Sequence, residues 1–200
     1  MKTLVLATSN RGKLAEIRPL LADSGMRLVT QGELGVIDAI EDGLSFVENA
    51  LIKARHACTV TGLPALADDS GLVIDALDGA PGLISAHYAG VHGDGAGNIA
   101  RVLREMADVP AGKRGARFHS TIVLLRHATD PQPLVVEGSW EGVILDAPRG
   151  DGGFGYDPIF FDPILSAGAA QLPPDIKNRV SHRGQALARL RERLASFDFG

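Results

Sequence analysis

The N-terminal part of the chain alternates continuous apolar runs with a helical pattern. "TLVLA" is a short apolar run typical of a buried strand, and "MRLVTQ" is a second one. Between them, Leu14, Ile17 and Leu21 recur at helical spacing, and Gly25 is a residue suited to ending a helix. The pattern predicts a strand, a helix and a strand. Pro19 predicts a kink or a late start in this helix because its ring removes a backbone hydrogen bond.

A second helix is marked by a capping signal. Ser45, with Glu48 three residues later, forms a capping box, and the spacing predicts a helix from about Ser45 to Thr59. Its apolar residues fall on one stripe, at Val47, Leu51, Ala54 and Cys58. Two strand-like runs, "LPALADD" and "GLVIDAL", then flank the adjacent carboxylates Asp68 and Asp69.

The second half of the chain contains the longest strand signals. "ARFHSTIVLLRHA" and "PLVVEGSWEGVIL", joined by the polar "TDPQP", predict a hairpin at the centre of a sheet. The Pro- and Gly-rich "DGAPGLISAHYAGVHGDGAGN" is predicted to be a loop before the helical segment "IARVLREM". An Ala/Gly/Pro linker leads to a last helix from about Ser181, with Leu187, Leu190 and Leu194 on its buried side.

Composition and charge narrow the class of protein. With 200 residues, 45% of them hydrophobic, the chain can bury most of its unfolded surface, so we expect a single bilobed domain over residues 1–200. Its net charge of −4, from 20 basic and 24 acidic residues, argues against a nucleic-acid-binding surface. The single cysteine, Cys58, excludes an internal disulfide. The first apolar run is too short for a signal peptide or a membrane span, so we expect a cytoplasmic protein without a membrane partner.

The segment "TSNRGK", Thr8 to Lys13, has the composition of a phosphate-binding turn. It follows a strand and opens a helix, so hydroxyls, an amide, backbone N–H groups and Lys13 would meet at the positive end of the helix dipole. It is neither a Walker loop nor a G-x-G-x-x-G motif. The alternative is a polar turn in which Ser9 or Asn10 only caps the helix.

The paired aspartates need partners. Two adjacent carboxylates between apolar runs would cost several kcal/mol if buried unpaired, so a cation, hydrogen-bond donors or solvent must meet them. Mg²⁺ suits such oxygen ligands and usually takes one or two carboxylates together with substrate phosphates. Glu41 is a candidate second ligand. The alternative is that "DDSG" is an ordinary turn between two strands.

Two late segments carry the remaining candidate chemistry. In "GGFGYDP", Phe154 and Tyr156 offer aromatic faces on which a base can stack. In "KNRVSHR", Lys177, His182 and Arg183 bring positive and hydrogen-bonding groups to a helix start. The alternatives are a flexible turn and a solvated basic helix start, with His182 at the surface. Lys53, on the capped helix, either reaches into a cleft or is solvated.

Taken in order, "TSNRGK", "EDGLSFVENALIKA", "ADDSGL", "GGFGYDPIF" and "KNRVSHR" closely resemble the motifs of one family over nearly the whole chain. This is the family of non-canonical purine nucleoside triphosphate pyrophosphatases, the Ham1-like or RdgB-type dITP/XTP pyrophosphatases. The resemblance implies a homodimeric α/β protein, with a long twisted mixed sheet and flanking helices that form two lobes around a nucleotide cleft. It also implies Mg²⁺-dependent hydrolysis of ITP, dITP and XTP to the monophosphate and pyrophosphate.

The resemblance also implies roles for individual residues. The phosphates would be bound by Thr8, Ser9, Asn10, Arg11, Gly12 and Lys13. Lys53 would help to neutralise the phosphates. Glu41 and Asp69 would bind Mg²⁺, and Asp69 would also take the proton of the attacking water. Asp68 and Ser70 would support Glu41 and Asp69. Base and sugar would be held by Phe154, Gly155, Tyr156 and Asp157. Lys177 would reach base or phosphate, and His182 with Arg183 would read the purine.

The residue chemistry suits this reaction. Hydrolysis of a phosphoanhydride needs charge neutralisation and an in-line water, which a metal, lysines and one carboxylate supply. A 6-oxo purine offers an acceptor to Arg183, whereas the 6-amino group of adenine would leave donors facing donors, at a cost of about 1–3 kcal/mol. This argument explains rejection of ATP but not of GTP. The order of preference among ITP, dITP and XTP stays open, as does which of Asp68 and Asp69 takes the proton.

The departures from the family pattern are local. Ser9 stands where the family commonly has glycine, and His87 stands where it usually has arginine. Pro173, Pro174 and Asp175 replace a more acidic approach to Lys177 and are expected to stiffen it.

Three other functions compete with the pyrophosphatase hypothesis. One is a pyrophosphatase for modified pyrimidine nucleotides, and another is a nucleotide sensor that does not hydrolyse. The retained Glu41, Asp69 and lysines argue against a sensor. A nucleic-acid-binding module is least consistent with the acidic charge.

Overall fold

The computed structural model of the protein describes residues 2–199. Over this range the chain forms one mixed β-sheet and five α-helices. The strands are β1 (Thr3–Leu6), β2 (Arg27–Thr30), β3 (Ala65–Ile74), β4 (Gly115–Leu125), β5 (Leu134–Ile144), β6 (Phe160–Asp162) and β7 (Ala167–Gly168). The helices are α1 (Arg11–Leu21), α2 (Phe46–Thr61), α3 (Gly95–Glu105), α4 (Pro174–Val180) and α5 (His182–Leu194).

The sheet has the strand order β2-β1-β3-β4-β5-β6-β7. β1 runs parallel to both β2 and β3, whereas β6 is antiparallel to β5 and β7. This confirms the prediction of a mixed sheet with flanking helices. β4 and β5, the predicted hairpin strands, are neighbours near the middle of the strand order.

The chain divides into two compact units. Among the described residues, the first unit contains 2–69, 120–138 and 183–199, and the second contains 70–119 and 139–182. The expectation of one two-lobed domain with a nucleotide cleft stays a prediction.

Strand alternation gives the first unit a separate hydrophobic cluster on each sheet face. Residues at even positions of β1 and β3 pack with α1 and α5, in a cluster that includes Leu4, Leu6, Leu66, Ile17, Leu21, Leu187 and Leu190. Residues at odd positions pack with the small side chains of α2, in a cluster that includes Val5, Ala7, Ala65, Ala67, Ala50, Ala54 and Cys58. The apolar stripes predicted for α1 and α5 therefore face the sheet, and so do Leu51, Ala54 and Cys58 of the stripe predicted for α2. Val47 lies outside this cluster.

The second unit is built around aromatic side chains. Phe118 on β4 packs with its ring centroid 4.6 Å from that of Phe160 and 6.2 Å from that of Trp140. Helix α3 adds Val102 and Met106 to the same core, as its helical spacing predicts.

The ends of the predicted helices agree with their capping residues. Ser45 caps α2 by accepting a hydrogen bond from the Glu48 N–H, and α2 ends at Thr61, two residues beyond the predicted end. Helix α1 contains Pro19 and is followed by a short 3-10 helix that ends at Gly25, in left-handed conformation at φ 71°.

Two segments differ from their predictions. The predicted loop before "IARVLREM" contains the 3-10 helices Asp75–Leu77 and Gly82–His87, and α3 already begins at Gly95. The predicted linker contains β7 and α4, where Pro174 takes the first helical position, which favours proline.

The chain around the paired aspartates also differs from its prediction. Asp68 and Asp69 lie inside the continuous ten-residue strand β3, so "DDSG" is not a turn. β3 lies between β1 and β4 and is not an edge strand. Within residues 2–199, no helix is long and apolar enough to cross a membrane.

A close approach between β5 and β6 can be tested at Gly142. A Cβ added there would lie 2.5 Å from Phe160 Cζ and 2.6 Å from the Phe161 carbonyl oxygen, so we expect Gly142→Ala to lower the free energy of unfolding by about 1–3 kcal/mol. A Cβ at Gly112 meets nothing within 4 Å, which makes Gly112→Ala the matched control. Urea unfolding measures both, and equal stability of the two variants would contradict this contact.

Candidate active site

Strand β3 places its two carboxylates on opposite faces of the sheet. Successive strand residues point to opposite sides, so Asp68 follows Leu66 toward α1 and α5, and Asp69 follows Ala67 toward α2. Their exposed fractions are only 1% and 6%. Each carboxylate must therefore find its own partners, and each does so within the first unit.

Asp68 lies among three donors. Lys13 Nζ is 3.0 Å from its Oδ2 and 3.1 Å from its backbone oxygen, and the Ser120 hydroxyl donates to Oδ1 at 2.5 Å. Arg183 donates through Nε and Nη2 to Oδ2, both at 3.3 Å. Burial alone would raise the pKa of Asp68, but the charges of Arg183 and Lys13 outweigh it and hold the pKa well below its usual range.

Arg183 is the buried counter-charge of Asp68. Its exposed fraction is 2%, and it also donates to Glu16 Oε2 on α1. Burial would lower the pKa of this guanidinium, but Asp68 and Glu16 outweigh burial and raise it. The family motif implies a purine-reading role for Arg183, and no sequence pattern predicts its contacts with these two carboxylates. Purine reading by Arg183 stays a prediction.

Lys13 is the last residue of the segment Thr8 to Lys13, here called the phosphate turn, and connects it to Asp68. Burial lowers the pKa of this lysine, and the positive charges of Lys53 and Arg183 lower it further. The negative charge of Asp68 opposes this shift without cancelling it. Lys13 is therefore a cation held in a poorly solvated place beside other cations. Such a group gains from the arrival of an anion.

On the opposite face, Lys53 joins Asp69 to Glu41. Its Nζ lies 2.8 Å from Asp69 Oδ1 and 2.8 Å from Glu41 Oε2. Burial would lower the pKa of Lys53, but Asp69 and Glu41 outweigh it and raise the pKa. Of the two alternatives for Lys53, solvation is wrong, because its side chain is only 12% exposed.

Asp69 differs from Asp68 in what its second oxygen meets. Oδ2 is buried and has no hydrogen-bond partner among the described residues. Burial raises the pKa of Asp69, and the nearby lysines only partly oppose this shift. The environments thus separate the pair, with Asp68 kept ionised and Asp69 better able to accept a proton.

The turn before α1 is held by its own side chains. Asn10 caps α1 by accepting from the Lys13 N–H at 3.1 Å, and Thr8 Oγ1 accepts from the Asn10 N–H at 3.2 Å. The capping alternative is thus confirmed for Asn10. The Ser9 hydroxyl donates to Asp38 Oδ2 at 2.7 Å. Arg11 and Gly12 form the first turn of α1, where backbone N–H groups lack partners within the helix and suit a phosphate.

The residues predicted to hold base and sugar lie in the second unit. Asp157 Oδ2 accepts from Lys177 Nζ at 2.6 Å and from the Phe154 N–H at 2.7 Å, and Lys177 lies 5.1 Å from the centroid of the Phe154 ring. A Cβ at Gly153 would lie 2.0 Å from Asp157 Oδ2, so the loop requires glycine there. Gly155 adopts φ 61°, which also favours glycine.

Two residues of the second unit differ from their predictions. The Tyr156 ring is 5% exposed in the aromatic core and its hydroxyl donates to the Ser85 carbonyl oxygen at 2.8 Å, so the ring does not offer an exposed face to a base. His182 is buried and stacks on Phe118 at 5.0 Å, so a surface position is wrong. His87 is exposed and lies 6.4 Å from the ring of His92. Ser70 is partly buried in β3, directly after Asp69.

The Asp69 and Glu41 carboxylates fit a magnesium ion. Mg²⁺ takes one or two protein carboxylates and fills its other positions with water and phosphate oxygens, so a larger cluster is not needed. The unpartnered Asp69 Oδ2 supplies a buried oxygen of the right chemistry. Residues 2–199 contain no group of three or more His, Cys, Asp or Glu side chains suited to a metal.

The similarity of this chain to known proteins extends over nearly its whole length. The sequence model of the Ham1 family matches residues 4–193. The chain belongs to the Ham1 family. A dITP/XTP pyrophosphatase of Xanthomonas campestris pv. campestris strain 8004 is 62% identical over 194 residues, which cover 97% of this chain and 98% of that protein.

Other members of the Ham1 family are similarly close. A dITP/XTP pyrophosphatase of Xylella fastidiosa strain Temecula1 is 60% identical over 98% of this chain and 99% of that protein. The structure of a HAM1 protein from Coxiella burnetii superposes with a TM-score of 0.92 at 49% identity and covers 98% of this chain and 100% of that one. The family resemblance seen in the five motifs is therefore confirmed.

The contacts of Asp68 with Lys13, Arg183 and Ser120 are here called the Asp68 network. They predict that the contribution of Asp68 to the free energy of unfolding depends on pH. Asp68→Asn leaves Lys13 and Arg183 buried beside a neutral amide, so we expect the free energy of unfolding at pH 7 to fall by about 3–5 kcal/mol. Because folding lowers the pKa of Asp68, its stabilisation is complete above the unfolded-state pKa of about 4 and declines as the pH falls toward the folded-state value.

Urea unfolding of the wild type and Asp68→Asn at pH 7 and pH 3 measures this contribution. The gap between the two proteins should narrow at pH 3, and a gap independent of pH would contradict the network. Asp146, whose side chain is 90% exposed beside Arg114, provides the matched control. Asp146→Asn should cost less than about 1 kcal/mol at either pH.

Proposed function

We propose that this chain hydrolyses non-canonical purine nucleoside triphosphates of the ITP, dITP and XTP class to the monophosphate and pyrophosphate. The observation that carries the proposal is the contrast between the two carboxylates of β3, in a chain 62% identical to a dITP/XTP pyrophosphatase. Asp68 is neutralised by Lys13 and Arg183, whereas Asp69 has an unpartnered oxygen and a raised pKa.

In this proposal Asp69 is the proton acceptor. The oxygen of a water molecule forms a bond to the α-phosphorus, the bond between that phosphorus and the α,β-bridging oxygen breaks, and pyrophosphate leaves with the electron pair. The proton of the water passes to the Asp69 carboxylate. A positioned carboxylate base contributes about 10²–10⁴-fold to the rate.

The lysines neutralise the triphosphate. Lys13 lies at the start of α1 beside the N–H groups of the first turn, and Lys53 lies on the other sheet face beside Asp69. A bound Mg²⁺, held by Glu41 and Asp69, would neutralise further phosphate charge. The Mg²⁺ requirement is tested by adding excess EDTA.

The assembly and location that the family resemblance implies are part of the proposal. We expect a homodimer, which light scattering would detect as twice the mass of the chain. We expect the protein in the cytoplasm, where the nucleotide pool is, and fractionation of cells that express it tests this.

Pyrophosphate release from ITP, XTP, GTP, ATP and dTTP, each with Mg²⁺ and with EDTA, tests the reaction and its specificity. We expect metal-dependent release from ITP and XTP and slow release from the other three. Release of orthophosphate would mean that the attack is not at the α-phosphorus. Fast release from dTTP would favour a pyrimidine pyrophosphatase, and tight ITP binding without release would favour a sensor.

Asp69→Asn tests the assigned base. We expect turnover of ITP to fall by about 10²–10⁴-fold while the protein stays folded, with a lowered melting temperature because Lys53 keeps only Glu41 of its two carboxylate partners. Asp23→Asn, the same change at an exposed position of the first unit, is the matched control. Near-normal turnover in Asp69→Asn would refute the assignment.

A further inference from the structure

The position of Glu41 depends on a segment without regular structure. Residues 36–44, here called the Glu41 segment, contain neither helix nor strand. A carboxylate on such a segment has no backbone ladder of its own to fix its distance from Asp69. Side-chain contacts with neighbouring elements must do so.

Helix α2 makes several of these contacts, including the 2.8 Å ion pair of Lys53 with Glu41 and the hydrogen bond from the Leu44 N–H to Glu48 Oε2. The Gly43 N–H donates to Asn49 Oδ1 at 2.9 Å, and the Ile37 carbonyl oxygen lies 3.0 Å from a ring nitrogen of His56. They fix the segment on either side of Glu41 along one helix. They do not connect it to the phosphate turn.

Asp38 makes that connection. Its Oδ2 accepts from the Ser9 hydroxyl at 2.7 Å, and its Oδ1 accepts from Gln31 Nε2. Gln31 is itself fixed at the end of β2, since its N–H donates to the Leu6 carbonyl oxygen at 3.0 Å and its carbonyl oxygen accepts from the Val36 N–H at 2.9 Å. Asp38 therefore joins the phosphate turn, the end of β2 and the Glu41 segment.

The contact also changes the role of Ser9. A serine hydroxyl has one hydrogen to donate, and here the Asp38 carboxylate accepts it. In this arrangement the Ser9 side chain is not a phosphate donor, contrary to the role first assigned to it. Its hydroxyl instead fastens the turn to the segment that carries Glu41.

We propose that the hydrogen bond between Ser9 and Asp38, here called the clamp, keeps the Glu41 carboxylate at the distance from Asp69 that metal binding requires. Asp38 is then a positioning residue for metal binding. The proposal rests on the proposed function, since it takes Glu41 and Asp69 as the metal ligands.

The clamp is tested by titrating the nucleotide-free protein with Mn²⁺ and following the free ion by electron paramagnetic resonance. We expect Ser9→Ala, which changes no charge, to weaken Mn²⁺ binding about tenfold, and Ser9→Thr to restore most of the affinity. Asp38→Ala should weaken binding at least as much. The double variant should be no weaker than Asp38→Ala, because both changes break the same bond.

Glu33 supplies the matched control for the loss of charge. It is an exposed carboxylate near Asp38, and it accepts from Arg18 and Thr30 rather than from the phosphate turn. We expect Glu33→Ala to bind Mn²⁺ like the wild type. Ser9 and Asp38 are exposed, so melting temperatures should stay close to the wild type in all variants.

Unchanged Mn²⁺ affinity in Ser9→Ala, or fully additive effects of Ser9→Ala and Asp38→Ala, would overturn the clamp. An equal loss in Glu33→Ala would also overturn it, since loss of charge alone would then explain the result. The titration needs no turnover, so it separates this inference from the proposed function. If the variants show this coupling in Mn²⁺ binding but the wild type hydrolyses none of the nucleotides, the clamp is supported and the proposed pyrophosphatase activity is refuted.

Discussion

The arrangement of charge in the first unit depends on the twofold alternation of β3. Adjacent residues of a strand cannot share a face, so the Asp68–Asp69 pair is divided by the sheet itself. Each carboxylate then meets a different set of helices, with α1 and α5 on one side and α2 on the other. Because β3 places one carboxylate on each face of the sheet, each face needs its own cations. Lys13 and Arg183 supply them beside Asp68, and Lys53 supplies one beside Asp69.

This division gives two identical side chains different chemistry. Asp68 is surrounded by donors on both oxygens, so its proton affinity is low and its role is to hold cations in place. Asp69 has the ammonium of Lys53 on one oxygen only, and burial raises its proton affinity. The environment, and not the residue type, gives Asp68 a lowered pKa and Asp69 a raised one.

Much of this could be predicted from sequence because the signals are local. The Ser45–Glu48 capping box gave the start of α2, and the adjacent aspartates required cations wherever they were buried. The unpredicted residues depend on tertiary contacts. Glu16 on an amphipathic helix reads as a solvated charge, Ser120 as one polar residue in a strand, and Asp38 as part of an acidic loop.

The purine-reading role of Arg183 was inferred from the family motif and not from its surroundings. Its contacts with Asp68 and Glu16 come from residues far away in the chain, which no local pattern reveals. The burial of Tyr156 is hidden from sequence reasoning for a related reason. Glycine-rich flanks suggested exposure, whereas the ring is buried with the core of the second unit.

The partners of Asp68 also constrain how the protein is made. In sequence, Ser120 lies 52 residues from Asp68, Lys13 lies 55 and Arg183 lies 115. During synthesis the chain therefore holds Asp68 and Lys13 long before Arg183 leaves the ribosome. Contacts of such separation close large loops and form slowly. The charge balance around Asp68 is thus completed only when nearly the whole chain has emerged, so a nascent chain that lacks α5 has to keep this part of the sheet open to water.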